Sequence, residues 1–196
     1  MTTSATKPVT GSGSDLSQQL LIAMPGMVSG NLADSVIYVC EHTGHGALGL
    51  VINRPTDLTV GGLLQRIELD LSLEIGPIQN TPVLFGGPVQ TDRGFVLHAP
   101  PGSYSSSIAL GELALTTSRD VLQDVAQGRG PAQFLITLGY AGWGAGQLES
   151  EMAQNAWLNV RANLDILFNT LPENRYEAAL KQLGIDPFML GDAGHA

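Results

Sequence analysis

The chain has a single cysteine, few basic residues and no long apolar run. One cysteine, Cys40, excludes an intrachain disulfide, the usual support of small secreted proteins. No apolar run reaches the roughly 20 residues that a helix needs to cross a bilayer. The N-terminus has no apolar core of the kind found in secretory signals. These absences predict a cytoplasmic protein that does not enter a membrane.

Basic side chains are scarce relative to acidic ones. Lys and Arg total 9 against 18 for Asp and Glu, which gives a net charge of −9. Proteins that bind nucleic acids neutralise phosphates with clustered Lys and Arg, whereas the basic residues here are scattered. We therefore expect no direct nucleic-acid binding. The expected partner is a small ligand or another protein. The sequence identifies neither that partner nor the oligomeric state.

The composition is that of a folded chain with a sizeable core. Of the 196 residues, 43% are hydrophobic and 14% are charged, and this length can bury a core without disulfides or metals. No internal repeat or linker divides the sequence. We predict a disordered N-terminal tail over 1–16, a single domain over 17–190 and a C-terminal tail over 191–196.

The pattern of elements predicts an α+β protein. Apolar runs, of which SVIYVC is rich in β-branched residues, predict strands at QQLLIAMP, SVIYVC, GALGLVIN, PVLFGGPV, GFVLHAP, AQFLITLGYAGW and AWLNVRA, with weaker candidates in YSSSIALGELALTTS and DILFN. Helical spacing predicts helices at TVGGLLQRIEL, after LTTSRD, at GQLESEMAQNA and at PENRYEAALKQLG. Polar turns, EHTGHG and QTDRG, are expected to join hairpins, and residues 70–82 to be mostly loop. Hairpins without strict β-α alternation favour a mixed, largely antiparallel sheet.

The stretch around the single cysteine could hold a metal or a nucleophile. Cys40 and His42 lie two apart, so on a regular strand they point to the same side. With His45 and His98 they could bind zinc, but the spacing matches none of the common zinc pairings. A reactive thiolate needs nearby cations, whereas Cys40 ends an apolar strand beside Glu41. We favour a core cysteine next to a polar turn, and predict no metal or cofactor.

Two further stretches could bind an anion. In LGYAGWGAGQLE the nucleotide-binding pattern fails at Gln147, and Glu149 would repel a phosphate at the helix start. In LTTSRD, hydroxyls and Arg119 precede a helix, but capping explains them equally well. Thr117 and Asp120 are spaced as a capping box with Asp in place of Glu.

Ordered motifs along the chain resemble those of the YqgE/AlgH family of bacterial proteins. They are LLIAMPGM, SVIYVCEH, GALGLVINRP, LFGGPV, RGFVLH, LTTSRDVL, GRGPAQFLITLGYAGWGAGQLESEM and NAWL. The resemblance implies a branched sheet partly curled into a small barrel and surrounded by helices. It also implies a cytosolic protein, and some members are described as transcriptional regulators linked to exopolysaccharide synthesis. The resemblance further implies a candidate ligand-binding cleft formed by polar residues that the family shares. In this sequence they are Glu41, His42, Asn53, Arg54, Arg93, Thr117, Ser118, Asp120, Gln147 and Glu149.

Three functions are compatible with this resemblance. The favoured one is a non-catalytic binding or regulatory module with an indirect effect on gene expression, because no complete catalytic set is present. The second is an enzyme acting on a small anionic substrate, with Cys40 or the Glu41 and His42 pair as reactive groups and Arg54 or Arg93 as an anion clamp. The third is a DNA-binding regulator, which the acidic composition disfavours.

Overall fold

The computed structural model describes residues 15–191, so the two predicted tails lie almost entirely outside it. Leu16, the second described residue, is buried within the core although it belongs to the predicted tail 1–16. The strands are Gln19–Ala23 (β1), Val36–Thr43 (β2), Gly46–Val51 (β3), Pro55–Thr59 (β4), Pro82–Phe85 (β5), Val89–Ala99 (β6), Ser107–Leu110 (β7), Leu113–Thr116 (β8), Gln133–Gly144 (β9) and Trp157–Arg161 (β10).

Helices and short helical turns connect these strands. The α-helices are Val60–Arg66 (α1), Arg119–Ala126 (α2), Gln147–Ala153 (α3), Arg175–Gln182 (α4) and Pro187–Gly191 (α5). Three 3-10 segments lie at Gly30–Leu32, Leu73–Asn80 and Pro172–Asn174, and Asp165–Asn169 forms a π-helical turn. Within residues 15–191, none of the helices has the length and apolar character that crossing a bilayer would require.

The strands form one branched sheet. Its main path is β10-β1-β2-β3-β9-β6-β8-β7, with β5 joined to β9 and β4 joined to β5. Every pairing is antiparallel except β5 with β9. The predicted α+β class, with a branched, largely antiparallel and partly curled sheet, is confirmed.

The middle of the sheet is covered on both faces, as the apolar character of SVIYVC predicts. Val36 and Tyr38 pack into one cluster, which also contains Leu97 and is called the Leu97 core. Ile37 and Val39 pack on the opposite face into a cluster that contains Trp157, called the Trp157 core. Alternation along a single strand thus supplies both cores.

Two strand predictions are wrong. The QTDRG stretch is not a hairpin turn, because β6 continues through it, with an irregular pairing against β9 between Val89 and Gly94. The preceding strand, β5, pairs with β4 and β9 instead of β6. DILFN forms a π-helical turn in which the neighbours Ile166 and Leu167 are both buried, and a short apolar run of this kind is hard to distinguish from a strand.

Two local helix predictions have different outcomes. Thr59 caps α1 as expected, with its hydroxyl accepting a hydrogen bond from the amide of Gly62 at 3.0 Å. Residues 70–82 are not mostly loop, because the 3-10 segment Leu73–Asn80 occupies them. The hydroxyl of Ser72 accepts from the amide of Glu74 and starts this segment.

Candidate functional site

A β-bulge at Cys40 separates the side chains of the cysteine and the nearby histidine. Val39 pairs with Gly49, but Glu41 pairs with Leu48, so two residues of β2 oppose one residue of β3. The side chain of Cys40 follows those of Val36 and Tyr38 into the Leu97 core. After the bulge, His42 bonds to the amide of Leu16, whose side chain packs into the Trp157 core, so the prediction that Cys40 and His42 point to the same side is wrong.

The environment of Cys40 is unsuited to a nucleophile. Its side chain is 5% exposed, and burial raises the pKa of its thiol, with a smaller contribution from the negative charge of Glu41. Within residues 15–191, no three His, Cys, Asp or Glu side chains are grouped in a way that could hold a metal ion.

We expect Cys40 to resist alkylation in the folded protein. At neutral pH, native protein treated with iodoacetamide should react at least about 100-fold more slowly than protein unfolded in urea, because the buried thiol forms little thiolate. Mass spectrometry of the intact chain over time measures this difference. Rapid stoichiometric labelling of the native chain would revive the nucleophile hypothesis.

His42 is held between the N-terminal segment and α3. Its Nδ1 accepts a hydrogen bond from the amide of Leu16 at 3.0 Å, so in the neutral ring Nε2 carries the proton. Nε2 lies 2.5 Å from Oε1 of Glu149 and donates to it. The helix-start amide of Glu149 itself, followed by His42, lowers the pKa of this carboxyl group. With its side chain 6% exposed, His42 links two segments and is poorly placed as a free base.

Asn53 and Arg54 hold the segment that leads into β2. The side-chain oxygen of Asn53 accepts from the amide of Val36 at 2.9 Å, and its nitrogen donates to the carbonyl of Asp34 at 2.9 Å. The guanidinium of Arg54 donates to the carbonyls of Asn31 and Ala33. Both side chains are thus hydrogen-bonded to backbone groups of the same segment.

The Ser118 hydroxyl before α2 forms a hydrogen bond with a carboxylate instead of capping the helix backbone. Ser118, not Thr117, occupies the N-cap position, and its hydroxyl donates to Asp120 at 2.5 Å without capping a helix amide. The predicted Thr117 and Asp120 capping box is therefore wrong. Asp120 also accepts from the amide and hydroxyl of Ser105 at 2.8 and 2.7 Å. These bonds, with that from Ser118 the largest contribution, lower the pKa of Asp120 to about 2.

Replacing Asp120 by alanine should destabilise the protein by about 1–3 kcal/mol above pH 4, since several donors lose a charged acceptor. The native pKa lies below the unfolded value, so this stabilisation is present above about pH 4 and is lost as the pH falls towards 2. Urea unfolding of both chains at pH 6 and pH 2.5 measures the effect. Asp92→Ala, at an exposed position in β6, is the matched control. An equal difference between wild type and Asp120→Ala at both pH values would contradict the prediction.

The remaining polar residues lie on the surface. Gln147 accepts a hydrogen bond from the amide of Gly144 at 3.0 Å, which closes the bend before α3. The guanidinium of Arg93 lies 5.5 Å from the ring centre of Phe95, a cation–π geometry. Glu41 is exposed and lines an open cleft of about 480 Å³ together with His45, Tyr140 and Trp143.

The ten polar residues do not share one cleft. The end of β2 is surrounded by His42, Glu149 and Gln147. Asn53 is instead hydrogen-bonded to Val36 at the start of that strand. Because an extended strand rises by a fixed distance per residue, the two ends of β2 are about 20 Å apart. The Asp120 group follows β8, three strands away from β3 across the sheet. The structure brings together His42 with Glu149, Asn53 with Arg54, and Ser118 with Asp120.

Sequence reasoning missed a pocket that contains Arg175. This pocket of about 380 Å³ lies between β5, the start of β9 and the segment leading into α4. Arg175 is buried, with 6% of its surface exposed, whereas its place among scattered basic residues suggests an exposed charge. One signal was available: Arg175 precedes the buried Ala179 by four residues, and residues with this spacing share a helix face.

Comparison with known proteins places the chain in a family. The AlgH-like family model matches residues 20–188. The chain belongs to the AlgH-like family. A UPF0301 protein of Bordetella petrii is 74% identical over 93% of this chain and 90% of its own length. A UPF0301 protein of Cupriavidus metallidurans is 59% identical over 93% of this chain and 96% of its own length.

Two solved structures share the fold of this AlgH-like chain. The solution structure of the AlgH protein from Pseudomonas aeruginosa is 46% identical, with a TM-score of 0.76, and covers 99% of this chain and 100% of that one. The crystal structure of a Corynebacterium diphtheriae protein is 17% identical, with a TM-score of 0.69 and 91% of each chain covered. The second likeness concerns the fold alone.

Proposed function

We propose that this AlgH-like protein is a cytoplasmic, non-catalytic binding module that recognises a small ligand in the pocket beside Arg175. One observation carries the proposal: a cationic side chain is buried at the wall of a pocket whose other lining is largely apolar. Ligand pockets typically combine apolar walls with a few convergent polar groups. A protein built this way would respond to the concentration of a metabolite.

The groups available for catalysis support a binding role over an enzymatic one. Cys40 is buried with a raised pKa, and His42 is hydrogen-bonded at both ring nitrogens. Arg54, the suggested anion clamp, donates to two backbone carbonyls. Each of these side chains already has a structural role that reaction with a substrate would disturb.

An effect on gene expression would then be indirect. The net charge of −9 opposes contact with a phosphate backbone. A ligand-dependent interaction with another protein fits the acidic composition better than an operator complex does. An electrophoretic shift assay at low salt should accordingly show no binding of the purified protein to DNA.

A ligand screen tests the proposal. Native mass spectrometry and thermal shift with a panel of small acids, amines, sugars and neutral compounds should reveal at least one compound that stabilises the wild-type protein. Phe168→Trp, which enlarges a side chain lining the pocket, should abolish that stabilisation. Phe188→Trp, at a position that is 86% exposed and absent from the pocket lining, is the matched control. Binding that persists in a folded Phe168→Trp protein, or no binding by any compound, would contradict the proposal.

A further inference from the structure

Arg175 uses only part of its hydrogen-bonding capacity within the protein. Its Nε donates to the carbonyl of Ile166 at 3.0 Å, and its Nη1 donates to the carbonyl of Ile52. Both acceptors are neutral. The side-chain hydrogen bonds found within residues 15–191 include none from Nη2, and this atom is not among the buried atoms that lack a partner, so it is open to solvent. A guanidinium group carries five N–H donors, so donors remain for a group in the pocket.

The charge of Arg175 also lacks a close counter-charge. No Lys or Arg in the described part of the chain lies within 4.0 Å of a carboxylate, and the two short charged contacts found there both involve His42. The charge of the exposed Glu173 raises the pKa of Arg175, but by less than burial lowers it. Burial lowers the pKa of Arg175 to about 10, which leaves the group charged at neutral pH. A buried charge without a partner is destabilising.

The rest of the pocket is suited to an apolar body with a polar end. Its apolar walls come from four parts of the fold, namely α1, β5, β9 and the segment before α4, and include Val60, Leu84, Phe134, Phe168 and Leu171. Thr81, Asn169 and Thr170 add neutral polar groups to the lining. Leu171 is 61% exposed, so an apolar surface continues outwards from the pocket. A volume of about 380 Å³ suits a small ligand.

We propose that this pocket binds a small organic acid, a monocarboxylate with an aliphatic or aromatic body, whose carboxylate accepts hydrogen bonds from Arg175. The inference rests on the proposed function and names its ligand class. The carboxylate supplies a negative charge and an acceptor for the remaining donors of Arg175, while the apolar body covers Phe134 and Phe168. One guanidinium matches the single charge of a carboxylate, with charge-assisted hydrogen bonds that are stronger than neutral ones.

Matched pairs of acids and amides test the charge requirement. Hexanoate and benzoate are titrated into ¹⁵N-labelled wild-type protein at neutral pH, in parallel with hexanamide and benzamide. We expect the acids to bind at least tenfold more tightly than the amides, and to shift the Nε–H signal of Arg175 and the amide signals of the pocket lining. Equal affinity for acids and amides, or no pocket shifts with millimolar acid, would overturn the inference.

Variants separate the roles of charge and shape. Arg175→Met should reduce acid binding at least tenfold and leave amide binding unchanged, so the preference for acids disappears. Arg66→Met, at an exposed position in α1, should retain that preference. Phe168→Trp should abolish the binding of both compound classes. An acid preference that survives in folded Arg175→Met would overturn the inference.

The wild-type titrations remain decisive if Arg175→Met does not fold, because they need no variant. The two proposals also fail differently. Amides that bind in the pocket as tightly as the acids would leave the binding function standing and reject the ligand class. A wild-type protein that binds no compound of the wider panel would reject the binding function itself.

Discussion

Alanine at position 87 should prevent the protein from folding stably, with a loss of more than about 4 kcal/mol. Gly87 has a φ of 152°, which L side chains rarely adopt. A Cβ at this position would lie 2.1 Å from the carbonyl carbon of Tyr140 and 2.2 Å from its oxygen. Because these are backbone atoms of β9, no side-chain rotation can relieve the overlap. Urea unfolding followed by circular dichroism measures the loss.

The control for this substitution lies a few residues further along the chain. Gly94, within β6, has no positive φ, and a Cβ added there would meet no atom within 4 Å. Gly94→Ala should therefore change the free energy of unfolding by no more than about 1 kcal/mol. If Gly87→Ala unfolded at the same urea concentration as Gly94→Ala, the close approach of this segment to β9 would not exist.

Replacing His98 by leucine should lower stability by about 2–3 kcal/mol at neutral pH, because buried partners lose a hydrogen bond. His98 is fully buried on β6. Its Nδ1 lies 2.9 Å from the carbonyl of Pro100 and so carries the proton, and its Nε2 accepts from the hydroxyl of Thr116 at 2.7 Å. The same hydroxyl lies 2.6 Å from that of Ser107, so the leucine would disturb a connected buried network.

The pH dependence of stability gives a second measurement of the His98 network. Burial lowers the pKa of His98, and the hydrogen bond to Pro100 opposes this only in part. The unfolded imidazole therefore takes up a proton first, and stability falls as the pH drops below about 6.5, by at most about 1.4 kcal/mol per pH unit. Urea unfolding between pH 7.5 and 5.5 should show a shallower decline in His98→Leu than in wild type. His45→Gln, at an exposed histidine, is the matched control.

Much of the fold follows from local patterns in the sequence. The apolar alternation of SVIYVC predicts a strand covered on both faces, and Thr59 is recognisable as a helix cap. The bulge at Cys40 is different, because it is defined only by which residues of β3 lie opposite. The parallel pairing of β5 with β9 joins segments about 50 residues apart in sequence. Local composition contains no information on either pairing.

The candidate site was harder to predict than the fold. Polar residues in the family motifs suggested a shared cleft, but Asn53, Arg54 and Asp120 mainly bond to backbone or to neighbouring hydroxyls. Such roles depend on which backbone groups lack partners in the fold, and these groups cannot be identified from a sequence. Arg175 shows the converse, since its burial follows from the packing of α4 against β1 and β2 and from a bond to Ile52, all distant in the chain.

The attachment of Leu16 determines where this chain can be cut or fused. Its side chain fills part of the Trp157 core, and its amide supplies the hydrogen bond that orients the ring of His42. A shortened version beginning at β1 would create a void beneath the sheet and leave that ring free to turn away from α3. An affinity tag with a cleavage site therefore belongs upstream of Asp15, where its removal leaves this attachment intact.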